Sequence, residues 1–580
     1  MEEFEVMDDE AEECADRILA VDNGSAAAFY IKGKLAFKKG LVKVAEENFK
    51  QAIKGDKTFG PAYSFLGLLK KKEGSENEAL DLMEKGFILA PTNNETLTWY
   101  HKEARAQGVF ERAERVFRDA LAAYPCHRLI HFKIIDLLLQ QEKFEAAMDE
   151  IEKAIVEYGA DDGMIAAALS VRNRLGPRKI KKLSRKKATV SLCMIVKDEE
   201  YNIGKCLLNL KPLADEMIVV DTGSSDRTRA LAEIFGAKIY DFEWKNDFSA
   251  ARNYSTSKAA GNWILIMDAD EIISPRDFIA LKKIVRTKKP NGLAFTFVTR
   301  NYHTRGNMIG ETLNDGAYKD EERGYGWTPS EKVRLFRNGL DIRFEYPVHE
   351  VVEPFLRRNR IDINRCDIPI HHYGKLNVTK ELQKGEGYFN LGIQKLEKSP
   401  NNAKAIYELA IQAGVLQKWE EAITLWQRHN TLCPDNPTAY INMGAAYIEE
   451  GRIDQAIESI KMAIKLDPDM DEPYHNYALY EILQGKAETA IPILERLERK
   501  SPHYLPARFK LATAYACAGK KEDAARVFEG LKETAIGHSL VNACHSMAKE
   551  LASFGQSGYA ACMNEMSARI LIGASPRQGA

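Results

Sequence analysis

Long apolar runs are missing from this chain. Although 45% of its 580 residues are hydrophobic, none of these runs approaches the roughly 20 residues that a helical bilayer crossing requires, so no transmembrane segment is expected. Charge of one sign is missing as well. With 82 Lys and Arg against 84 Asp and Glu, the formal net charge is -2, which offers no global attraction to nucleic acid or to an anionic membrane. Paired cysteines are absent too: nine stand singly, with no CxxC, so neither a disulfide framework nor an oxidising compartment is expected. The opening MEEFEVMDDEAEE is acidic and lacks the basic and apolar regions of a signal peptide. These absences lead to the expectation of a cytoplasmic protein, with peripheral attachment to the inner face of a membrane left open. At this length several domains, about three, should share the chain.

What the chain does have is a period. Pro400, Pro434, Pro468 and Pro502 stand 34 residues apart, as do Pro91 and Pro125. Ala422, Ala456, Ala490 and Ala524 keep the same spacing, and so do Ala45, Ala79, Ala113 and Ala147. Small residues allow close helix crossings, and a proline ends the second helix of each unit. This pattern resembles the tetratricopeptide repeat. Four units are expected over about 26–160 and four over about 403–538, with helical flanks at about 5–22 and 539–571. The domain division that follows is a solenoid at 1–175, a basic linker at 176–188, a middle domain at 189–376, a second solenoid at 377–571 and a tail at 572–580.

The middle domain alternates strand and helix. TVSLCMIV, EMIVV, AKIYDFEW and NWILIM read as strands, separated by helical stretches closed by Gly236 and Gly261. Near-continuous apolar strands of this kind predict a mostly parallel sheet covered on both faces. Ligands bind beyond the carboxyl ends of such strands, and there the acids collect: KDEEYN after the first, DTGSSD after the second, DADE after the fourth. If the fourth strand runs on through WILIMDADE, alternation puts Asp268 and Asp270 on one face. Paired carboxylates suit a hard divalent ion such as magnesium or manganese. An N-cap role for Asp270 is the plainer alternative.

The ordered stretches SLCMIVKDEEYNI, IVVDTGSSDRT, DFSAARN and ILIMDADE resemble the family 2 glycosyltransferases of GT-A fold, over residues 190–285. RLFRN and PVHE are similar to later segments of the same family. The resemblance implies an inverting, metal-dependent transferase of hexosyl type using a nucleotide-sugar donor, with a UDP-sugar expected first. On this chain it implies donor contacts at Asp198, Glu200, Asp221, Arg252 and Asp268, with Asn253 supporting the loop. It also implies a metal held by Asp268 and Asp270, with His372 as a further candidate and His371 or His349 as alternatives. Thr222 stands where many members carry a second acid, which leaves the base of the nucleotide open. A carboxylate must also accept the acceptor's proton; Glu350 is the choice, with Glu331 and Glu311 as rivals. The glycine-rich stretch 301–332 reads as a functional loop in which Tyr325 or Trp327 could stack on a sugar.

Flanking repeats suggest a protein or peptide acceptor held in their grooves, an inference by analogy. The alternatives are transfer to a lipid-linked or surface-polysaccharide precursor, or a catalytically silent scaffold. A nucleotidyltransferase is disfavoured, because KDEEYN is unlike a glycine-rich phosphate loop.

Overall fold

A computed structural model describes residues 2–176, 188–286, 293–303, 312–324, 326–348, 350–376, 385–386, 389–390, 392–397, 399–502, 504–532 and 537–573. Residues 177–187 of the expected linker, Glu311, Tyr325, His349 and the end of the tail lie outside that set. By compactness the chain divides into two units. The first comprises Met1–Lys182, Ile203–Leu208 and Ser224–Ile239. The second comprises Leu183–Asn202, Asn209–Gly223 and Tyr240–Ala580. No described helix is long and apolar enough to cross a membrane.

In the first unit, helices from Ala26–Lys38 to Phe144–Tyr158 form four consecutive pairs at the expected places. Ala45, Ala79, Ala113 and Ala147 are all fully buried, so each marks a crossing too close for a larger side chain. Helix Glu2–Val21 precedes the pairs as expected. Helix Asp162–Leu175, which carries none of the period's markers, was not anticipated. Its Arg172 is buried and donates to the Ile234 carbonyl (2.8 Å) and to Glu152 Oε1 (2.9 Å).

The second unit holds most of the sheet and the C-terminal array. Its strands are β1 (Val190–Val196), β2 (Glu216–Asp221), β3 (Lys238–Asp241), β4 (Trp263–Ile266), β5 (Glu271–Ile273), β6 (Ala294–His303), β7 (Thr312–Leu313), β8 (Gly326–Arg337) and β9 (Ile363–His372). Their order is β3-β2-β1-β4-β8-β6-β9-β5, with β7 on β8. β1 pairs in parallel with β2 and β4, the arrangement the apolar runs imply. Beyond β4 the sheet is mixed, because β8 runs antiparallel to both β4 and β6, and β5 antiparallel to β9.

The C-terminal array repeats the four-pair plan from Ala403–Val415 to Lys521–Lys532. A further pair, Gly537–Ser553 with Ser557–Gly573, stands where a single flank was expected. Asn402 and Asn436 cap their helices by accepting the amides of Ala405 and Ala439 (3.1 and 3.4 Å).

Candidate active site

Strand β4 stops at Ile266, and residues 269–270 form a turn into β5. The expected extended DxD with both acids on one face is therefore corrected: the chain reverses, and the two carboxylates meet different partners. Asp268 faces two arginines. Arg252 Nη2 donates to Asp268 Oδ1, and Arg334 Nη1 lies 3.6 Å from Asp268 Oδ2. Asp270 faces His372 instead, with 3.4 Å between Oδ2 and Nε2. The β5/β9 register, which sets Glu271 opposite His372, brings them together.

Arg252 is placed by local rules. Asp247 caps the helix Phe248–Ser257 by accepting the Ala250 amide at 2.9 Å, and Arg252 sits one turn in. Asn253 exchanges two hydrogen bonds with the backbone of Phe344 (2.8 and 3.0 Å), fixing the strand of chain that leads to Glu350. Arg252 Nε then donates to Glu350 Oε1 at 3.4 Å. Burial alone would lower the Arg252 pKa, but the carboxylates of Asp268 and Glu350 push it up. Burial would raise that of Asp268, and the two arginines pull it well below the carboxylate range. Arg334 also binds Glu271 at 2.6 Å, and Glu271 accepts the Asp268 amide at 2.8 Å.

His372 Nδ1 lies 2.8 Å from Asn301 Oδ1, an acceptor, so Nδ1 carries a proton, while Nε2 faces the Asp270 carboxylate. Burial lowers the His372 pKa, and the Asp270 carboxylate reverses the shift to a net rise. A β-carbon on Gly374 would stand 2.4 Å from Asp270 Oδ2 and 2.7 Å from His372 Nε2, so glycine keeps this cradle open. The Asp270–His372 pair thus fits a divalent ion, whereas Asp268 is engaged by the arginines. Among the described residues there is no preformed group of three metal-ligating side chains; the remaining ligands would come from a bound molecule or water.

Arg252, Asp268, Asp270, Glu350 and His372 all line one cavity of about 850 Å³. From the loop after β1 the wall takes Lys197 and Glu199, and after β2 it takes Thr222. Asp198, Glu200 and Asp221 are the immediate neighbours of these lining residues. Asp198 has φ of 52°, a left-handed turn at the end of β1 that re-aims the side chains following it. Glu350 lines the cavity; Glu331 is exposed and accepts from Thr296 Oγ1 at 2.7 Å. His371 is fully buried against Tyr302 Oη (2.8 Å), and burial with the nearby Arg300 and Arg276 pushes its pKa down to about 3, a packing role. Trp327 lies under the Arg300 guanidinium at 4.6 Å. Sequence reasoning missed Lys332, Trp244 and the wall from beyond residue 385; only Arg334 carried a signal, in RLFRN.

Residues 191–343 match the glycosyl transferase family 2 model, and residues 102–163 and 437–470 match tetratricopeptide repeat models. A TPR repeat-containing protein of Synechococcus elongatus is 31% identical over 315 residues, 52% of this chain and 64% of that protein. The SPbeta prophage-derived glycosyltransferase SunS of Bacillus subtilis is 28% identical over 245 residues, 40% of this chain and 51% of that one. An uncharacterized glycosyltransferase of Rickettsia felis is 36% identical over 85 residues, 15% and 30% of the two chains. The matches thus span about half to two thirds of the first two relatives. The chain therefore carries a family 2 glycosyltransferase domain set between two tetratricopeptide arrays.

Proposed function

We propose that this protein transfers a sugar, with inversion, from a nucleoside-diphosphate donor to a nucleophile on a protein acceptor. The observation that supports this reading is the gathering of Arg252, Asp268, Asp270, Glu350 and His372 around one cavity in a family 2 domain. Arg252, with a buried Nη1 that has no hydrogen-bond partner among the described residues, and Lys197 and Lys332 offer cations to a diphosphate. Asp270 and His372 would hold manganese or magnesium, which supplies charge neutralisation to the departing nucleoside diphosphate. Asp221 and Thr222 take the nucleoside, with Asp198 and Glu200 behind the loop; a UDP-sugar is the donor to try first. In the reaction the acceptor atom bonds to the anomeric carbon as the carbon–oxygen bond to the diphosphate breaks. Its proton passes to Glu350, a carboxylate lining the same cavity.

The test is thermal stabilisation by UDP, GDP and dTDP, each with and without manganese. One nucleotide should raise the melting temperature only with metal, and Asp270→Ala should abolish the effect. Equal stabilisation of wild type and variant would remove Asp270 from the site; no stabilisation by any nucleotide would overturn the reading.

A further inference from the structure

The cavity has a second wall, built by the first helix of the C-terminal array. Ala405, Glu408, Leu409 and Gln412 of the helix Ala403–Val415 line it, and their spacing puts all four on one helix face. Asn390, Gln394 and Lys395, from the chain just before the array, complete that side. The wall is fixed in place. Phe389 and Leu396 are buried in the array's own core. Lys418 Nζ donates to Glu386 Oε2 at 3.1 Å and lies 4.4 Å from the centre of the Phe389 ring. A β-carbon on Gly392 would fall 2.7 Å from Leu409 Cδ1, and one on Gly385 would fall 2.8 Å from Leu416 Cδ2, so glycine permits the close approach.

The two walls differ in charge. The transferase wall carries Lys197, Arg252 and Lys332, which suit a diphosphate, together with the Asp270–His372 pair. On the array wall Lys395 Nζ donates to Glu408 Oε2 at 2.8 Å, so the cation and the carboxylate among its lining residues cancel. What remains is amide: Asn390, Gln394 and Gln412. Gln412 Nε2 donates to the Gly385 carbonyl at 3.3 Å, which fixes the flip of the carboxamide and leaves its Oε1 and second N–H for a ligand. Among the described residues nothing donates to that Oε1.

A hydroxyl donates and accepts at once, and a carboxamide offers the matching pair. A neutral surface of amides beside apolar Ala405 and Leu409 therefore suits the part of a sugar nucleotide that is uncharged and rich in hydroxyls. We propose that this helix reads the sugar of the donor. Gln412 and Asn390 bind ring hydroxyls, Leu409 packs on the C–H face of the ring, and the Glu408–Lys395 pair holds the wall in position. The inference rests on the transferase reading and adds to it that a determinant of sugar selectivity lies in the repeat array.

Isothermal titration of the full-length chain in the presence of manganese tests this. UDP and GDP are set against UDP-glucose, UDP-galactose, UDP-N-acetylglucosamine and GDP-mannose, and the tightest sugar nucleotide is carried forward. Gln412→Leu should weaken it by about threefold or more, the loss of one neutral hydrogen bond, and narrow its margin over the other sugars. Affinity for the matching bare nucleotide should not change. Asn390→Ala, at an exposed position where folding is not at stake, should act in the same direction. If both variants bind the sugar nucleotide as the wild type does, the proposal falls and the wall is left to the acceptor. Equal weakening of sugar nucleotide and bare nucleotide overturns it as well. Failure of the wild type to bind UDP or GDP at all would remove the transferase reading itself, and this inference with it.

Discussion

The two arrays share a period and differ in what they put on one row. At the sixth residue of successive first helices the C-terminal array has Glu408, Asn442, Asn476 and Lys510; the N-terminal array has Ile31, Phe65, Trp99 and Lys133. Phe65 is 4% exposed, and its ring meets those of Trp99 (4.3 Å, edge-on), Phe49, Tyr30 and Phe37. Asn442 at the same position is partly exposed. In the second repeat one position therefore supports two outcomes, core at Phe65 and partial exposure at Asn442, while Lys510 shows that the C-terminal row also turns inward in its fourth repeat. The lesson is that the 34-residue markers specify helix crossings, while residues between them decide whether a groove is filled or left for a ligand.

Exchanging the two chemistries should break the comparison most sharply. Phe65→Asn removes a buried ring and leaves a carboxamide without partners, and should cost about 3–5 kcal/mol. Hydrogen exchange across residues 26–106 would read the loss as local opening. The reverse change, Asn442→Phe, adds a ring where space is already exposed and should alter stability by less than about 1 kcal/mol.

Acid should separate the arrays next. Glu150 is buried in the N-terminal array, where the position matched by the period in the other array holds Val527. Its hydrogen bond to His131 (3.0 Å) outweighs burial and, with Arg118, holds its pKa down at about 2. A carboxylate depressed in the fold contributes stability above its unfolded pKa of roughly 4.3 and loses it as pH falls toward the folded value. Roughly 2 kcal/mol at most should therefore disappear from the N-terminal array between pH 4.5 and pH 2, reduced by solvent screening of the exposed Arg118 and Lys153. Thermal melts of the wild type and Glu150→Gln across that window should converge at the acid end. Divergence there would remove the His131 contact as the cause.

Much of this was legible in the sequence, for physical reasons that also mark where it stopped. Prolines at helix ends and alanines at crossings act locally, so both arrays could be read from spacing, but helix Asp162–Leu175 lacks those markers. Strands β1, β2 and β4 are buried on both faces and show as apolar runs. Strand β8 does not, since GWTPSEKVRLFR mixes exposed and buried residues and its register depends on β4 and β6. Arg252 and Asp270 could be nominated from the stretches that resemble a known family, and Glu350 and His372 from their place after that core. That Asp268 turns to Arg252 and Arg334 could not be read, because the strand ends at Ile266, one residue short of its apolar run, and the chain turns at residues 269–270. Glu408 and Gln412 carry no local signal at all; only the approach of a helix far along the chain makes them part of the cavity.

The smallest expected difference sharpens the comparison at matched glycines. Gly67 and Gly444 are each the eighth residue of the second repeat's first helix. A β-carbon at Gly67 would stand 2.8 Å from the Ala79 carbonyl oxygen and 2.7 Å from Met83 Cγ, and backbone cannot yield without parting the helices. At Gly444 the nearest atoms, the Ala456 carbonyl and Ile460 Cδ1, are both at 3.3 Å, so a shift of a few tenths of an ångström suffices. Alanine gains about 1 kcal/mol over glycine in a helix interior at either site, while overpacking costs typically 1–3 kcal/mol. Gly67→Ala should therefore lower stability by about 1–2 kcal/mol, and Gly444→Ala should leave it nearly unchanged or slightly raised. Local exchange rates in helices Gly60–Lys72 and Pro437–Glu449 would measure both, and equal effects would mean that the two arrays cross their helices at the same distance.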